Sequence, residues 1–217
     1  SRWGFEALAV ELARNNPFDA HFIAWEDRLY QAGWRRDFWV SELKIGEDPN
    51  QVMEELRRSA DELSRWEGSP FDWGWTQAED IDWSALKSRY NRHYQSAFEA
   101  RTSLRRDLGQ DMDLAAMKRA AHNEELWNWV LQDDRQRRAV WIEGTIVQKS
   151  GPIHRVNEER SGFEATMFTP FKSMFGQEMP TMAYNIIALM FMSAVLWWLL
   201  LAEPFLSSRL KRGSIVH

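Results

Sequence analysis

The sequence predicts an all-α chain anchored in a membrane by its last helix, with a helical domain outside the bilayer. Three observations predict it. Met179 to Ala202 is a run of 24 residues without Asp, Glu, Lys or Arg. About 20 apolar helical residues cover the roughly 30 Å hydrocarbon core, so the run is long enough to span a bilayer. Upstream, apolar residues recur at spacings of three and four over several stretches. The remainder is polar: mean hydropathy is −0.53 despite that run, with 27% charged residues of mixed sign.

Residues 1–16, SRWGFEALAVELARNN, read as a short apolar helix carrying Trp3, Phe5, Leu8, Val10 and Leu12 and ended by Asn15-Asn16-Pro17. It is too short to cross a membrane and carries Glu6 and Glu11. That suits an interfacial or re-entrant segment, or an ordinary packing helix. Pro17 to Leu43 mixes apolar groups at helical spacing, with a break expected at Gly33. Pro49 to Glu67 is clearer: Met53, Leu56, Ala60, Leu63 and Trp66 make one stripe on a charged helix, stopped by Gly68-Ser69-Pro70. Asp82 can cap the next helix, whose stripe runs through Trp83, Leu86, Tyr90, Ala97, Leu104 and Leu108 to Gly109. A third stripe runs from about Asp111 through Leu114, Met117, Ala121, Trp127, Val130 and Leu131 to about Arg138. Two such stripes joined at Gly109 predict an antiparallel helical hairpin. Residues 139–178 lose helical periodicity. AVWIEGTIVQ is a candidate extended segment, and Gly151-Pro152, Gly162 and Pro170 mark loops returning to the membrane.

The closing span has Tyr184 near one end and Trp197 and Trp198 near the other, where amphipathic rings prefer the headgroup level. Glu203-Pro204 supplies a charge and a helix breaker at the exit. Orientation follows from the flanks. Arg209, Lys211 and Arg212 against Glu203 favour a cytoplasmic carboxyl end. Removing that +2 from the formal net charge of −5 leaves −7 on residues 1–178, which are expected outside the cytoplasm. The boundaries read as 1–16 re-entrant or interfacial helix, 17–149 helical extracytoplasmic domain, 150–179 return segment, 180–202 transmembrane helix and 203–217 cytoplasmic tail. The chain starts at Ser1 without a signal peptide, so an exported domain needs an earlier membrane segment and the sequence reads as a piece of a longer polypeptide.

The ends carry a resemblance. Arg2-Trp3-Gly4-Phe5-Glu6-Ala7-Leu8 resembles the R-[WY]-G-F-E motif that follows the fifth membrane helix of ABCG-like ATP-driven exporters, where the chain dips back into the outer leaflet before its last helix. Gly151-Pro152-Ile153, Thr169-Pro170-Phe171-Lys172, then Pro180-Thr181 with Asn185 resemble the stretch leading into the sixth helix of the same proteins. The match covers roughly residues 1–16 and 150–202. The middle matches nothing recognisable and exceeds the external loop of familiar members. The resemblance implies a permease fragment in the inner membrane that works as a dimer with a second permease half. It also implies an ABC ATPase domain upstream or on a partner, which would hold ATP and Mg, and an external domain that shapes substrate exit or docks a periplasmic partner.

The chemistry of the chain itself is sparse. No GxSxG or GxxxxGK[ST] occurs, so no nucleotide site and no enzyme is expected in this chain. Its histidines lie far apart, and His122-Asn-Glu-Glu reaches no second histidine at the i+4 spacing, so no metal site is expected. Cysteine is absent, which excludes disulfides and thiolate sites. A pI near 5.6 without a dense basic face argues against nucleic acid. Arg-Arg pairs at 35, 57, 105 and 137 read as solvated faces, and the adjacent acids Glu124-Glu125 and Glu158-Glu159 make no acid/base couple. Two sets of residues stand out. Asn185 in the span and Glu6 in the first helix are candidates for a substrate path or gate. Trp73 and Trp75, among 13 tryptophans, form a candidate aromatic binding loop that would stack on sugar or lipid headgroups or anchor a partner. That loop supports the alternative reading, a membrane-anchored extracytoplasmic adaptor binding glycan or protein.

Overall fold

The computed structural model describes residues 2–132, 138–155, 166–174 and 177–213, with side chains as far as residue 202. Arg137, Glu158, Glu159, Gly162 and His217 lie outside the described residues. Helix α1 (Arg2–Arg14) ends at Asn16, whose carboxamide oxygen accepts from the backbone N–H of Phe18 and Asp19. After a turn at Asp19–His21 come α2 (Ile23–Trp34), a π-helical stretch Arg35–Trp39 and α3 (Val40–Lys44), which run as one continuous rod.

The break expected at Gly33 is absent. Gly33 lies inside α2 and faces α5 (Trp83–Asp111), where a Cβ would make ordinary contact with the Tyr94 ring at 3.5 Å. Glu26 pairs with Arg101 at 2.7 Å and Arg36 donates to Asn91 at 2.9 Å. Residue numbers rise on α2 as they fall on α5, so the two are antiparallel.

Helix α4 (Pro49–Glu67) carries the clearest stripe in the chain. Asp48 caps it by accepting from the Asn50 N–H, Pro49 takes its first turn, and Gly68 ends it with φ 68°. Val52, Leu56 and Leu63 bury its inner face against Trp39, Val40, Leu43, Leu86 and Tyr90. Asp82 caps α5 as the sequence predicts, accepting from Ser84 and Ala85 N–H. The hairpin, however, has a different second strand of helix. The stripe after Gly109 is split into α6 (Leu114–Ala121), capped by Asp113, and α7 (Glu124–Leu131), capped by Asn123, and the partner of α5 is the α2–α3 rod. Apolar spacing reports which face of a helix seeks cover and is silent about what provides it.

Two antiparallel β-hairpins precede the last helix. Strands β1 (Ala139–Ile142) and β2 (Thr145–Gln148) pair with Ala139 opposite Gln148 and lay Ala139 and Ile146 on the central core. Strands β3 (Phe171–Met174) and β4 (Gln177–Pro180) pair with Phe171 opposite Pro180. A second, smaller core joins Ala9, Val10 and Ala13 of α1 to Val130 of α7, Ile153 and Phe168. The fold is thus mostly helical, with two short β-hairpins added to the all-α expectation.

The last helix, α8, runs Thr181–Gly213, and its segment Thr181–Ala202 is long and apolar enough to cross a membrane, with 6% of its most apolar stretch buried. Met179 and Pro180 belong to β4. Pro204 does not end the helix. A proline removes one backbone hydrogen bond, and both sides of it can remain helical.

Gly151 offers a test of the packing. Its φ is +58°, and a Cβ would collide with Cε1 and Cζ of Tyr30. Gly151→Ala is expected to destabilise by about 2 kcal/mol or more from backbone strain and overpacking together. Gly74→Ala, at φ +72° with nothing within 4 Å, should cost only about 1 kcal/mol from the backbone term. Denaturant midpoints in detergent measure both, and equal losses would remove the steric argument.

Candidate functional site

Glu6 and Asn185, picked out separately in the sequence, meet. Glu6 is 1% exposed on the inner face of α1, and Asn185 is fully buried in the second turn of α8. Between them lies Lys172 of β3, 3% exposed, with its ammonium 2.9 Å from Glu6 Oε1 and 3.0 Å from Oε2. The Phe168 N–H donates to Glu6 Oε1 at 2.9 Å, and Asn185 Nδ2 donates to Glu6 Oε2 at 3.3 Å and to the Trp3 carbonyl at 3.0 Å. Lys172 also lies over the Trp3 and Tyr184 rings, 5.3 and 5.6 Å from their centroids. A carboxylate this deeply buried persists only when paired and hydrogen-bonded, and every group around Glu6 serves that end. Among the described residues, Asn185 Oδ1 is a buried acceptor of the cluster without a hydrogen-bond partner.

Thr181 anchors the start of α8 next to it. Its N–H donates to the Pro170 carbonyl at 2.9 Å and its hydroxyl to the Thr169 carbonyl at 2.5 Å. Helix α1 is therefore clamped to β3 and α8, which lie far from it in sequence, at the point where the chain enters its apolar helix.

Beyond α1 the polar contacts continue. Arg14 grips Asp27 of α2 through both guanidinium nitrogens, at 2.9 and 2.7 Å, and donates to the Ile153 carbonyl at 2.5 Å. His154 Nδ1 lies 2.8 Å from Asp27, and its ring stacks on Tyr30 at 4.7 Å and Trp127 at 5.6 Å. Burial alone would raise the Asp27 pKa, but the hydrogen bonds from His154 and Arg14 override it, and the carboxyl sits below the usual aspartate range. Asp19 forms a second such centre, accepting from Asn16 Nδ2 at 2.7 Å and Trp127 Nε1 at 3.0 Å and facing His122 Nδ1 at 2.8 Å. These histidines are hydrogen-bonded. Among the described residues, no group of three His, Cys, Asp or Glu is placed to hold a metal.

The aromatic loop lies elsewhere, against α4. Trp73 and Trp75 stack with centroids 4.9 Å apart and planes 3° from parallel. They wall a cleft of about 420 Å³ whose other sides include Met53, Arg57, Asp61 and Asp72. Both rings are half-buried and also pack on the central core, and Trp73 Nε1 donates to Ser59 at 2.9 Å. The loop thus does structural work as well as offering an open aromatic wall. Arg35 departs from the solvated face expected of it. It is largely buried, pairs with Glu62 at 2.7 Å and lies 4.6 Å from the Trp39 ring centroid.

The chain matches no protein-family model, no curated protein and no solved structure. The site is therefore read from its geometry. Sequence reasoning named Glu6 and Asn185 but not Lys172 as a site residue; Lys172 entered as a flanking charge before the span and within the Thr169-Pro170-Phe171-Lys172 motif. A lone lysine close before an uncharged span is the signal that could have found it, since an acid buried nearby needs a cation.

Two sets of substitutions test these placements. Lys172→Ala leaves an unpaired buried carboxylate and is expected to cost about 3 to 5 kcal/mol. Lys172→Met combined with Glu6→Gln should recover most of that loss, and a full double-mutant cycle by detergent-phase unfolding measures the coupling. In the loop, Trp73→Ala should cost about 2 kcal/mol, reflecting a half-buried ring and one lost hydrogen bond. Trp75→Ala should cost under about 1 kcal/mol, as a less anchored ring. Melts unchanged by both substitutions would mean that neither ring supports the fold.

Proposed function

We propose that this chain is the carboxyl-terminal part of the permease of an ABCG-like ATP-driven exporter. The single observation that carries the reading is the clamp. The two terminal segments that resemble such permeases, residues 1–16 and 150–202, come together through Glu6, Lys172 and Asn185 at the entry to the apolar helix. A permease needs this juxtaposition, because a segment following one membrane helix has to return beside the next.

In this reading, ATPase subunits closing on the cytoplasmic side rearrange the helix bundle, and α8 transmits the movement to α1 through the Glu6 cluster. Glu6 and Asn185 act at the outer end of the route as a contact that opens and recloses, and Asn185 Oδ1 is free to accept from a passing donor. The central helical region shapes substrate exit or docks an external partner. The ATP and Mg belong to the ATPase, and the carboxyl terminus faces the cytosol.

The aromatic cleft favours a second reading, a membrane-anchored extracytoplasmic adaptor that binds glycan or protein between Trp73, Trp75 and α4. The two readings differ in their response to nucleotide. These 217 residues contain no cysteine, so a single one placed at Met182, in a full polypeptide whose other cysteines have been replaced, gives a unique label. The exporter reading expects ATPase activity in the purified protein and a change in Met182 labelling by a membrane-impermeant maleimide when ATP is added. Constant labelling without ATP hydrolysis would leave the adaptor.

A further inference from the structure

Helix α1 is packed inside out for a helix in water. Its buried side consists of Glu6, Ala7, Ala9, Val10 and Ala13, whereas its large apolar residues point away from the protein: Phe5 is 42% exposed, Leu8 55% and Leu12 50%. A helix of a soluble domain turns its large apolar side chains inward. The ridge formed at positions 5, 8 and 12 follows the three-and-four spacing of one helix face.

A residue from the central region extends that ridge. Trp129 of α7 is 63% exposed and meets the Phe5 ring edge to face, with centroids 5.2 Å apart and planes at 83°. The neighbour next to Trp129 in the chain, Val130, is fully buried against α1. The α7 backbone is thus fixed, and the indole is held outward on a rigid support. Meanwhile α1 packs along α8, whose first turns expose Met182, Ile186 and Ile187. The helix that carries the outward Phe5, Leu8 and Leu12, and that Trp129 meets through Phe5, is therefore packed on the start of α8, where apolar side chains are exposed as well. Trp3 and Tyr184, with ring centroids 6.0 Å apart, mark the same level.

We infer that Trp129, with Phe5, Leu8 and Leu12, is a membrane-surface anchor that lays the central helical region on the headgroup layer of the bilayer that α8 enters. The inference rests on α8 being in lipid. The occupant is the bilayer because the surface continues onto a helix whose exposed groups are apolar all round, and because an amphipathic indole on a rigid support suits the boundary between headgroups and acyl chains. The domain then lies along the membrane instead of standing off on a stalk, and whatever it binds is met at the lipid surface.

The absence of cysteine makes the test direct. Single cysteines at Trp129, Leu12, Leu196 and Arg105 are labelled with an environment-sensitive fluorophore, and the full chain is reconstituted in phosphatidylcholine–phosphatidylglycerol vesicles. Some vesicles carry nitroxide lipids near the headgroup and others at mid-chain. Labels at 129 and 12 should be quenched about twofold or more by the shallow nitroxide, as an interfacial group requires. The label at 196 should respond to the deep nitroxide, and the label at 105, an exposed site on α5, to neither. Quenching at 196 with none at 129 and 12 overturns the anchor and leaves the span intact. No quenching at 196 removes the membrane reading itself. Ready disulfide formation between two copies through position 129, with quenching absent, assigns the surface to a second copy and also overturns the anchor.

Discussion

One buried ion pair sets the terms for the end of this molecule that carries its long apolar helix. Glu6 and Lys172 are separated by 166 residues and are both nearly inaccessible, so the chain cannot bury either without bringing the other. An isolated ion costs several kcal/mol to take out of water, and a partner within hydrogen-bond reach offsets most of that. The pair therefore acts as a constraint on topology more than as a source of net stability. Any arrangement in which α1 turns another face to β3 and α8 strands a charge. With that face fixed, the small residues Ala9 and Ala13 also lie inward, while Phe5, Leu8 and Leu12 are left outside. The inverted packing of α1 follows from where its acid has to go.

The same helix ties that end to the central region. At its carboxyl end Arg14 holds Asp27 of α2, and the turn Gly151–His154 is stitched between them by Ile153 O and His154. From α8 to α1 to α2 each junction is a charge pair or a buried hydrogen bond, with the α1–α7 apolar core beside it. α2 then runs through the π-helical stretch into the rod on which α4 and α5 pack. Contiguity of this kind becomes coupling only where an element has two arrangements. The π-helical stretch, which carries an extra residue per turn in the middle of that rod, is the kind of feature that clusters at such sites.

Much of this was legible in the sequence where the signal is local. The span follows from an uncharged run, α4 from its stripe, and the helix boundaries at Gly68 and Asp82 from the chemistry of caps. Signals that depend on distant partners were not legible. Gly33 reads as a break because glycine is a poor helix former, yet the helix runs through it, held by packing against Tyr94 and the rest of a helix some sixty positions away. The third stripe promised one helix, and Asn123 divided it by capping a new one. Arg35 looks like a surface arginine until Glu62 and Trp39 close over it. Glu6 and Asn185 stood out as polar groups in apolar company. Nothing in their spacing revealed that they face each other or that Lys172 completes the set.

Burial bears on what the cluster can do. Glu6, Lys172 and Asn185 are sealed from solvent in this arrangement, so a role along a substrate route requires the clamp to part. Breaking such a pair costs about 3 to 5 kcal/mol when one charge is left unpaired. Reversing a two-state equilibrium from about 1:99 to 99:1 takes roughly 5.5 kcal/mol of differential binding. The two magnitudes are comparable, so under the proposed transport role opening the clamp would need a driving free energy of the same order. The contacts that make up the clamp are directional, since Lys172, the Phe168 N–H and Asn185 each reach a Glu6 oxygen, so they fix the register of α1 against β3 and the start of α8 as well as their proximity.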